Sequence, residues 1–181
     1  MKVISGFFKG RNLFCPKGIR PSTFTVKKAC FDILKDEIVD KNILDLFAGS
    51  GSLGIEALSL GAKSAVFVDI NKRCVEAIKK NLSLLKITNK TMLYQKDAIK
   101  AIKDFFKKGI LFDIVFLDPP YYKGVLRKVL QNLEVCDIVT PFGYLVCFCY
   151  VKDDVKKVIM NFSLILEKNY GQTLLLIYKH N

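Results

Sequence analysis

The 181-residue chain contains one histidine and no tryptophan, and its six cysteines include no C-x-x-C pair. The single histidine, His180, is next to the last residue, where we expect a frayed tail and no catalytic role. Too few metal ligands remain for a structural zinc site, so we expect no bound metal. The cysteines are typical of buried, reduced thiols in a cytosolic protein, which predicts a cytoplasmic location.

Long apolar runs and a secretion signal are also missing. The longest apolar stretches, such as 142–150, fall far below the roughly 18 residues that a membrane span requires, and residues 1–6 lack the apolar core of a signal peptide. A hydrophobic content of 51% nevertheless excludes a disordered chain. We therefore expect a monomer without membrane contact, folded as one domain over 1–181, with an N-terminal extension at 1–40 and a core at 41–181.

Acidic residues are absent from the first 31 positions, which carry seven basic ones and more than half of the net charge of +12. Positive charge concentrated in one segment favours contact with a polyanion. Phe7 and Phe8 are interleaved with these cations in a predicted hairpin over 1–14, which suits stacking on bases, although packing onto the domain is an equal alternative. The residues that we expect to contact nucleic acid are Lys9, Arg11, Arg20, Lys27 and Lys28.

From Lys41 onward, strand patterns alternate with helix patterns, which predicts an α/β fold with a mostly parallel sheet covered on both faces. The predicted strands are Ile43–Phe47, Ser64–Asp69, Thr91–Gln95, Phe112–Leu117, Gly143–Cys149, Ser163–Glu167 and Thr173–Tyr178. The predicted helices begin after Ser22 or Thr23 and at Ser52–Leu60, Lys72–Leu85, Ala98–Lys107, Gly124–Leu133 and Asp153–Asn161. The link at 168–171 is too short for a parallel crossover, so the last two strands either pair antiparallel or have a neighbour between them, with the last strand reversed.

A glycine-rich turn follows the first predicted strand and precedes a helix. Gly49, Gly51 and Gly54 have a G-x-G-x-x-G spacing, which fits a dinucleotide site as well as a methyl-donor site. Asp45, near the strand end, favours the methyl donor because a carboxylate there can face the amino group of a methionine moiety. Strand, glycine turn and helix together predict a ligand pocket beyond the carboxyl ends of the strands.

Two further acids follow the next strands of the predicted sheet. Asp69 ends the second strand, where a carboxylate can accept hydrogen bonds from ribose hydroxyls. Asp97 follows the third strand and can accept a bond from an adenine amino group, although Asp is also a common helix N-cap. The residues that we expect to bind the donor are Asp45, Phe47, Ala48, Gly49, Gly51, Gly54, Asp69, Ile70, Asp97 and Ala98.

The sequence Asp118-Pro119-Pro120-Tyr121 ends the fourth predicted strand, and we expect these four residues to be catalytic. Proline fixes φ and removes N–H donors, so the loop is stiff and presents carbonyl acceptors. Hydrogen bonds from an exocyclic base amine to the Asp118 carboxylate and the Pro119 carbonyl would draw the amine nitrogen toward a tetrahedral geometry. That nitrogen could then attack the methyl group of a sulfonium donor in line, while Tyr121 stacks on the extruded base.

These motifs together resemble the class I S-adenosylmethionine-dependent methyltransferases, and most closely the RsmD-type 16S rRNA guanine-N2 methyltransferases. The resemblance covers nearly the whole chain through residues 5–11, 20–23, 45–58, 118–121 and 170–171. It implies a Rossmann-like, seven-stranded sheet with a reversed last strand and S-adenosylmethionine as cofactor. It also implies methylation of one guanine of 16S rRNA, with RNA in an assembling small ribosomal subunit as the substrate.

One segment departs from that family. Where the family usually continues Thr-Asp-Arg-Val-Arg-Glu, the chain has Thr-Phe-Thr-Val-Lys-Lys at 23–28. An arginine is therefore lost at Thr25, and an acid is replaced by Lys28. Lys27 keeps the charge but cannot make a bidentate contact. These departures bear on the substrate site and not on the reaction class.

Three other functions fit parts of the pattern. A DNA adenine-N6 methyltransferase would use the same loop, but 181 residues leave no room for a separate target-recognition domain. A non-catalytic RNA-binding assembly factor could use the same fold, although the intact glycines together with Asp118 and Tyr121 argue against it. A nicotinamide-dependent enzyme would need hydride-transfer residues, which the sequence does not offer.

Overall fold

A computed structural model of the chain describes residues 1–16, 18, 24–121, 124–153 and 159–181. The strands are β1 (Asn42–Leu46), β2 (Ser64–Asp69), β3 (Thr91–Gln95), β4 (Phe112–Leu117), β5 (Val139–Tyr150), β6 (Phe162–Tyr170) and β7 (Thr173–His180). The helices of this part are α1 (Phe24–Ile38), α2 (Ser52–Ser59), α3 (Lys72–Leu85), α4 (Ala98–Lys107) and α5 (Val125–Val135), with short 3₁₀ turns at Gly6–Phe8 and Thr88–Lys90.

The seven strands form one sheet in the order β3-β2-β1-β4-β5-β7-β6. Strands β1 to β5 are parallel to one another, whereas β7 lies between β5 and β6 and is antiparallel to both. The prediction of a seven-stranded, mostly parallel sheet with a reversed last strand is confirmed. Because parallel strands end at the same edge of a sheet, the carboxyl ends of β1, β2, β3 and β4 lie side by side.

Each face of the sheet has its own hydrophobic core, since successive strand residues point to opposite faces. Ile43 of β1 and Phe67 of β2 pack with buried residues of α1, α2 and α3 on one face. Leu44 of β1 and Val68 of β2 pack with α4 and α5 on the other. This two-sided burial explains why the strand sequences are continuously apolar instead of alternating.

Four buried polar side chains, Lys27, Glu56, Ser59 and Asn81, hold residues 1–14 against the helices, and we call them the polar clamp. The Glu56 carboxylate accepts hydrogen bonds from the backbone N–H groups of residue 4, at 2.9 Å, and residue 5, at 2.7 Å. Ser59 accepts from the N–H of residue 8 at 2.9 Å. Asn81 accepts from the N–H of Phe14 at 2.8 Å and donates to its carbonyl at 2.9 Å.

The two ends of the chain compare differently with the predictions made for them. Residues 1–14, predicted as a hairpin, pair antiparallel at a bridge between Lys2 and Asn12, with backbone hydrogen bonds from the Val3 N–H to the Arg11 carbonyl at 3.0 Å and from the Leu13 N–H to the Met1 carbonyl at 2.7 Å. The prediction of a frayed tail at His180 was wrong, because this residue ends β7 and its Nε2 lies 2.7 Å from an Asp137 carboxylate oxygen. Its ring also packs edge-on against Phe162, with centroids 4.8 Å apart.

Two predictions fall on parts of the chain outside the described residues. The predicted helix Asp153–Asn161 falls mainly on residues 154–158, which are outside the described part. Its described C-terminal end is not helical, because Asn161 has a φ of 67° and Ile159 forms a β-bridge. The predicted cap of α1 at Ser22 or Thr23 also lies outside them. Among the described residues, no helix is both long and apolar enough to cross a bilayer.

Candidate active site

A cavity of about 560 Å³ lies at the carboxyl ends of β1, β2, β3 and β4. Its volume is in the range of small-molecule sites, and its position is the one expected of an open α/β sheet. Eight of the predicted donor-site residues and all four predicted catalytic residues line it. They are Asp45, Phe47, Ala48, Gly49, Asp69, Ile70, Asp97, Ala98, Asp118, Pro119, Pro120 and Tyr121.

The turn after β1 brings the backbone to the cavity wall. Phe47 has a φ of 66°, a left-handed conformation that is uncommon for a residue with a side chain, and Gly49 and Gly51 follow at 58° and 80°. Gly51 and Gly54, which were predicted to bind the donor, are not in the cavity wall. A Cβ on Gly54 would lie 2.4 Å from the Phe67 ring, so this glycine instead allows α2 to pack closely on β2.

Asp45 is buried in β1, and the described residues provide a hydrogen-bond partner for only one of its carboxylate oxygens. Its Oδ2 accepts the Gly54 N–H at 2.9 Å, whereas Oδ1 has no hydrogen-bond partner among the described residues. Burial raises the pKa of Asp45 to about 8, with the negative charges of Asp118 and Asp69 adding to the rise and the Gly54 bond opposing it. A cationic donor placed at Oδ1 would satisfy both the oxygen and the charge. The ammonium group of S-adenosylmethionine fits this requirement.

Asp69 organises two turns of the cavity wall. One oxygen accepts the Gly49 N–H at 2.8 Å, and the other accepts the Asn71 N–H at 2.8 Å. The Cys74 thiol is hydrogen-bonded to the same carboxylate, and burial together with the Asp69 charge raises the pKa of Cys74 to about 11. The carboxylate is thereby fixed at the end of β2, with acceptor capacity remaining for a ligand.

Asp97 is a helix N-cap, and it also lies in the cavity wall. Its Oδ1 accepts the Lys100 N–H at 3.0 Å and so caps α4, and the residue also lines the cavity. Beside it in the cavity wall are Ala98 and Ile70, the latter 68% exposed. An exposed apolar side chain next to a carboxylate offers a surface for a flat, amino-bearing ring.

The loop at 118–121 follows β4, which pairs directly with β1, so its acid and Asp45 lie in one cavity. The Tyr121 hydroxyl is hydrogen-bonded to the Thr173 Oγ1 at 2.9 Å. The Tyr121 ring centroid is 6.2 Å from that of Tyr150, with an angle of 34° between the rings. Tyr150 and Thr173 face each other in the β5–β7 pair, and sequence reasoning missed both of them.

Other cavity residues were also missed, and most had a signal in the sequence. Ser50, Ser52 and Leu53 lie within the predicted glycine turn, and Asn71, Cys74 and Lys96 lie close to the predicted acids. Proximity to the motif residues could therefore have identified them. Met1 and Gly18 also line the cavity, but no local pattern marks them because their positions depend on how the N-terminal segment packs.

The residues predicted to contact nucleic acid have different surroundings. Lys9 and Arg11 are exposed. The prediction for Lys27 was wrong, because its side chain is 2% exposed and its Nζ lies 2.8 Å from the Glu56 carboxylate and 2.9 Å from the Ser52 Oγ. Lys28 is exposed but paired with Asp32 one turn along α1. Arg20 lies outside the described residues.

The sequence family described as "Conserved hypothetical protein 95" matches residues 1–179. The chain belongs to this family. Ribosomal RNA small subunit methyltransferase D of Escherichia coli is 33% identical over 181 residues, which cover 99% of this chain and 89% of that protein. The Bacillus subtilis protein YlbH is 34% identical over 99% of this chain and 98% of its own length. The resemblance to the RsmD-type family is confirmed.

The fold has a close counterpart among solved structures. That of the Escherichia coli protein yhhF superposes with a TM-score of 0.89 at 32% sequence identity, covering 100% of this chain and 98% of that one. Because the match covers the whole of this chain, it includes the cavity-forming strands and the reversed strand.

Proposed function

We propose that this chain transfers a methyl group from S-adenosylmethionine to the exocyclic N2 amine of a guanine in 16S rRNA, within an assembling small ribosomal subunit. The observation that carries the proposal is the shared cavity, in which the Asp45 oxygen that has no partner among the described residues and the loop at 118–121 lie at the ends of neighbouring strands. The name of the Escherichia coli relative supports ribosomal RNA of the small subunit as the substrate.

On this proposal, strand-end acids hold the donor at three points. Asp45 accepts a bond from its ammonium group, Asp69 accepts bonds from the ribose hydroxyls, and Asp97 accepts a bond from the adenine amine. Ile70 and Ala98 contact the adenine ring. When bound, S-adenosylmethionine supplies a methyl group that is already activated by its sulfonium charge.

The loop at 118–121 orients the target amine. The Asp118 carboxylate and the Pro119 carbonyl accept the two N–H groups, which directs the nitrogen lone pair away from the base ring. Pro119 and Pro120 keep the loop stiff, and Tyr121 stacks on the base. As the nitrogen–methyl bond forms, the sulfur–methyl bond of the donor would break and S-adenosylhomocysteine would leave, while the amine proton that is hydrogen-bonded to Asp118 passes to that carboxylate. The chain contributes mainly position, because orientation supplies most of the rate when the methyl group is already activated.

The test supplies the purified protein with radiolabelled S-adenosylmethionine and, in separate reactions, unmodified 16S rRNA, small-subunit particles and duplex DNA. Labelled N2-methylguanine in RNA or particles is expected, identified by nuclease digestion and mass spectrometry. Transfer to DNA adenine alone would favour the DNA methyltransferase, and RNA binding without any transfer would favour an assembly factor.

Light scattering of the same sample tests the prediction that the protein is a monomer, and fractionation of producing cells tests the prediction of a cytoplasmic location.

A variant separates chemistry from folding in the same assay. We expect Asp118→Ala to lower transfer by about 100-fold or more, because the amine loses its charged acceptor, while the dissociation constant for S-adenosylmethionine changes little. An equal loss of transfer and donor binding would mean that Asp118 supports the cavity wall instead of the reaction.

A further inference from the structure

The outer face of α1 is a poor surface for a polyanion. Its exposed cations are Lys28 and Lys35, and its exposed acids are Asp32, Asp36 and Glu37, so the face carries a net negative charge of one. Lys28 is moreover paired with Asp32. The positive charge near the N-terminus of the sequence therefore does not make α1 a basic surface.

The outer face of α3 has the opposite character. Its exposed cations are Lys72, Arg73, Lys79 and Lys80, followed by Lys86 at the C-cap. The one exposed acid of the helix is Glu76, which leaves a net positive charge of four. Residues 72, 79 and 86 are seven apart and therefore lie along one side of the helix, and residues 73 and 80 lie along the adjacent side.

An aromatic ring lies beside these cations. Phe14 is 48% exposed, and the Lys80 Nζ lies 4.6 Å from its ring centroid. Two hydrogen bonds fix the backbone of Phe14 to Asn81, a buried residue of α3. A rigidly held, half-exposed ring next to cations is typical of surfaces on which a nucleobase stacks.

The basic face also starts at the active site. Asn71, the N-cap of α3, and Cys74 in its first turn both line the donor cavity. At 1.5 Å per residue, the helix extends about 20 Å from that cavity. An RNA chain whose target base enters the cavity can therefore follow α3 with its neighbouring phosphates.

We propose that the α3 track, composed of Lys72, Arg73, Lys79, Lys80, Lys86 and Phe14, binds the sugar-phosphate backbone beside the target nucleotide and stacks one base on Phe14. This inference rests on the proposed function, since it names where that function's RNA substrate lies. On this inference, the cations of α3, and not the lysines of α1, make the principal contact with RNA on the side of the sheet that α1, α2 and α3 cover.

The test compares three charge reversals by fluorescence anisotropy with labelled, unmodified 16S rRNA over a series of salt concentrations. The test variant is Lys79→Glu with Lys80→Glu. Controls of equal charge change are Lys28→Glu with Lys35→Glu on α1, and Lys103→Glu with Lys107→Glu on α4, which packs on the opposite face of the sheet. We expect binding about tenfold weaker and a salt slope smaller by about 1.5 for the α3 variant, and changes below about twofold for both controls.

The stacking role of Phe14 is tested by two variants that leave the net charge of the protein unchanged. Phe14→Leu should weaken RNA binding about tenfold without changing the salt slope, because stacking is lost and no phosphate contact is removed. Phe14→Tyr should bind like the parent protein. Unaltered donor affinity and melting temperature in every variant would show that the fold is intact.

The two proposals fail in different ways. Equal weakening by all three reversals, or a larger loss for α1 or α4, would overturn the α3 track while leaving the methyltransferase intact. An unchanged affinity for Phe14→Leu would remove the stacked base from the proposal. A parent protein that neither binds nor methylates RNA would overturn the proposed function itself.

Discussion

Helix α2 takes part in two buried polar regions that differ in how completely they are satisfied. In the polar clamp, Glu56 accepts from two backbone N–H groups and from Lys27, whose ammonium also reaches Ser52. In the cavity, Gly54 of the same helix satisfies one oxygen of Asp45 and leaves the other unpartnered among the described residues. A buried polar group with all its partners stabilises the fold, whereas a partnerless one beside a cavity indicates a ligand.

The largest expected effect comes from breaking the clamp. Glu56→Ala leaves the Lys27 ammonium buried without its carboxylate, so we expect the free energy of unfolding to fall by about 3–5 kcal/mol in urea denaturation. The neighbouring pair on α1 is a matched control: Asp32→Ala removes the partner of exposed Lys28 and should cost less than about 1 kcal/mol. Similar losses for the two variants would contradict the clamp's structural role.

Asp45→Asn tests the cavity, because it keeps the shape of the side chain and removes its ability to ionise when a cation binds. We expect the affinity for S-adenosylmethionine, measured by calorimetry, to fall by about 100-fold because the ammonium group loses its ionic partner. Asp113→Asn is the control, since both oxygens of Asp113 are satisfied, by the Asn42 N–H at 2.8 Å and the Thr140 hydroxyl at 3.1 Å. That variant should affect stability and leave donor affinity unchanged.

Asp45 should also make the free energy of unfolding decrease as the pH rises. Its pKa is raised from 3.8 to about 8 by burial, so the folded state holds a proton that the unfolded state has released. The contribution of this proton to the free energy of unfolding is complete below the pKa of Asp45 in the unfolded chain. It is lost as the pH rises through the pKa of Asp45 in the folded protein, at up to about 1.4 kcal/mol per pH unit between roughly pH 4 and 8. Urea denaturation of the donor-free protein should show this fall, and Asp45→Asn should lack it. Saturating S-adenosylmethionine should reduce it, because the bound cation favours the charged carboxylate.

A smaller effect is expected from two glycines in the N-terminal loop. A Cβ on Gly6 would lie 1.9 Å from the Ser59 carbonyl oxygen, whereas a Cβ on Gly10 would meet nothing within 4 Å. Both residues have positive φ, at 75° and 82°, so alanine is strained at each. We expect Gly6→Ala to cost about 1–3 kcal/mol more than Gly10→Ala, with faster amide exchange at residues 4 and 5. Equal costs would mean that the loop does not depend on close packing against α2.

The smallest expected effect concerns the hydrogen bond between Tyr121 and Thr173. Tyr121→Phe and Thr173→Val each remove one partner with little change of shape, and each should cost about 1 kcal/mol in the free energy of unfolding. The double variant should cost little more than either single one, since the same bond is lost. Strictly additive losses would show that the two hydroxyls stabilise the protein independently.

The sequence predicted the features that depend on local pattern. Alternating strands and helices from residue 41 onward determine the sheet, and acids at strand ends meet in one cavity because parallel strands share an edge. Strand ends were less well defined, as in β5, which begins at Val139 instead of Gly143. The bulged pairing with β4 around residue 113 extends β5 beyond its apolar segment.

The errors concern residues whose surroundings come from distant parts of the chain. Lys27 was expected to be exposed to solvent, yet its ammonium is buried in an ion pair with Glu56, which lies 29 positions later in the sequence. His180 was expected to fray, yet it pairs with Asp137 in the link between α5 and β5. Gly54 fits the motif, but its need for glycine comes from Phe67 across the α2–β2 packing. Periodicity carries no information on such contacts, because each depends on how the elements pack.

The position of β7 has a consequence for the order in which the protein can become functional. Although β7 follows the other six strands along the chain, it lies inside the sheet, and four of its consecutive residues, 175–178, are at most 1% exposed. Until it leaves the ribosome, the edge of β5 stays bare and Tyr121 lacks its anchor at Thr173. The first five strands can therefore pair before β7 is available, whereas Tyr121, the residue proposed to stack on the target base, gains its hydrogen bond to Thr173 only after β7 has been made.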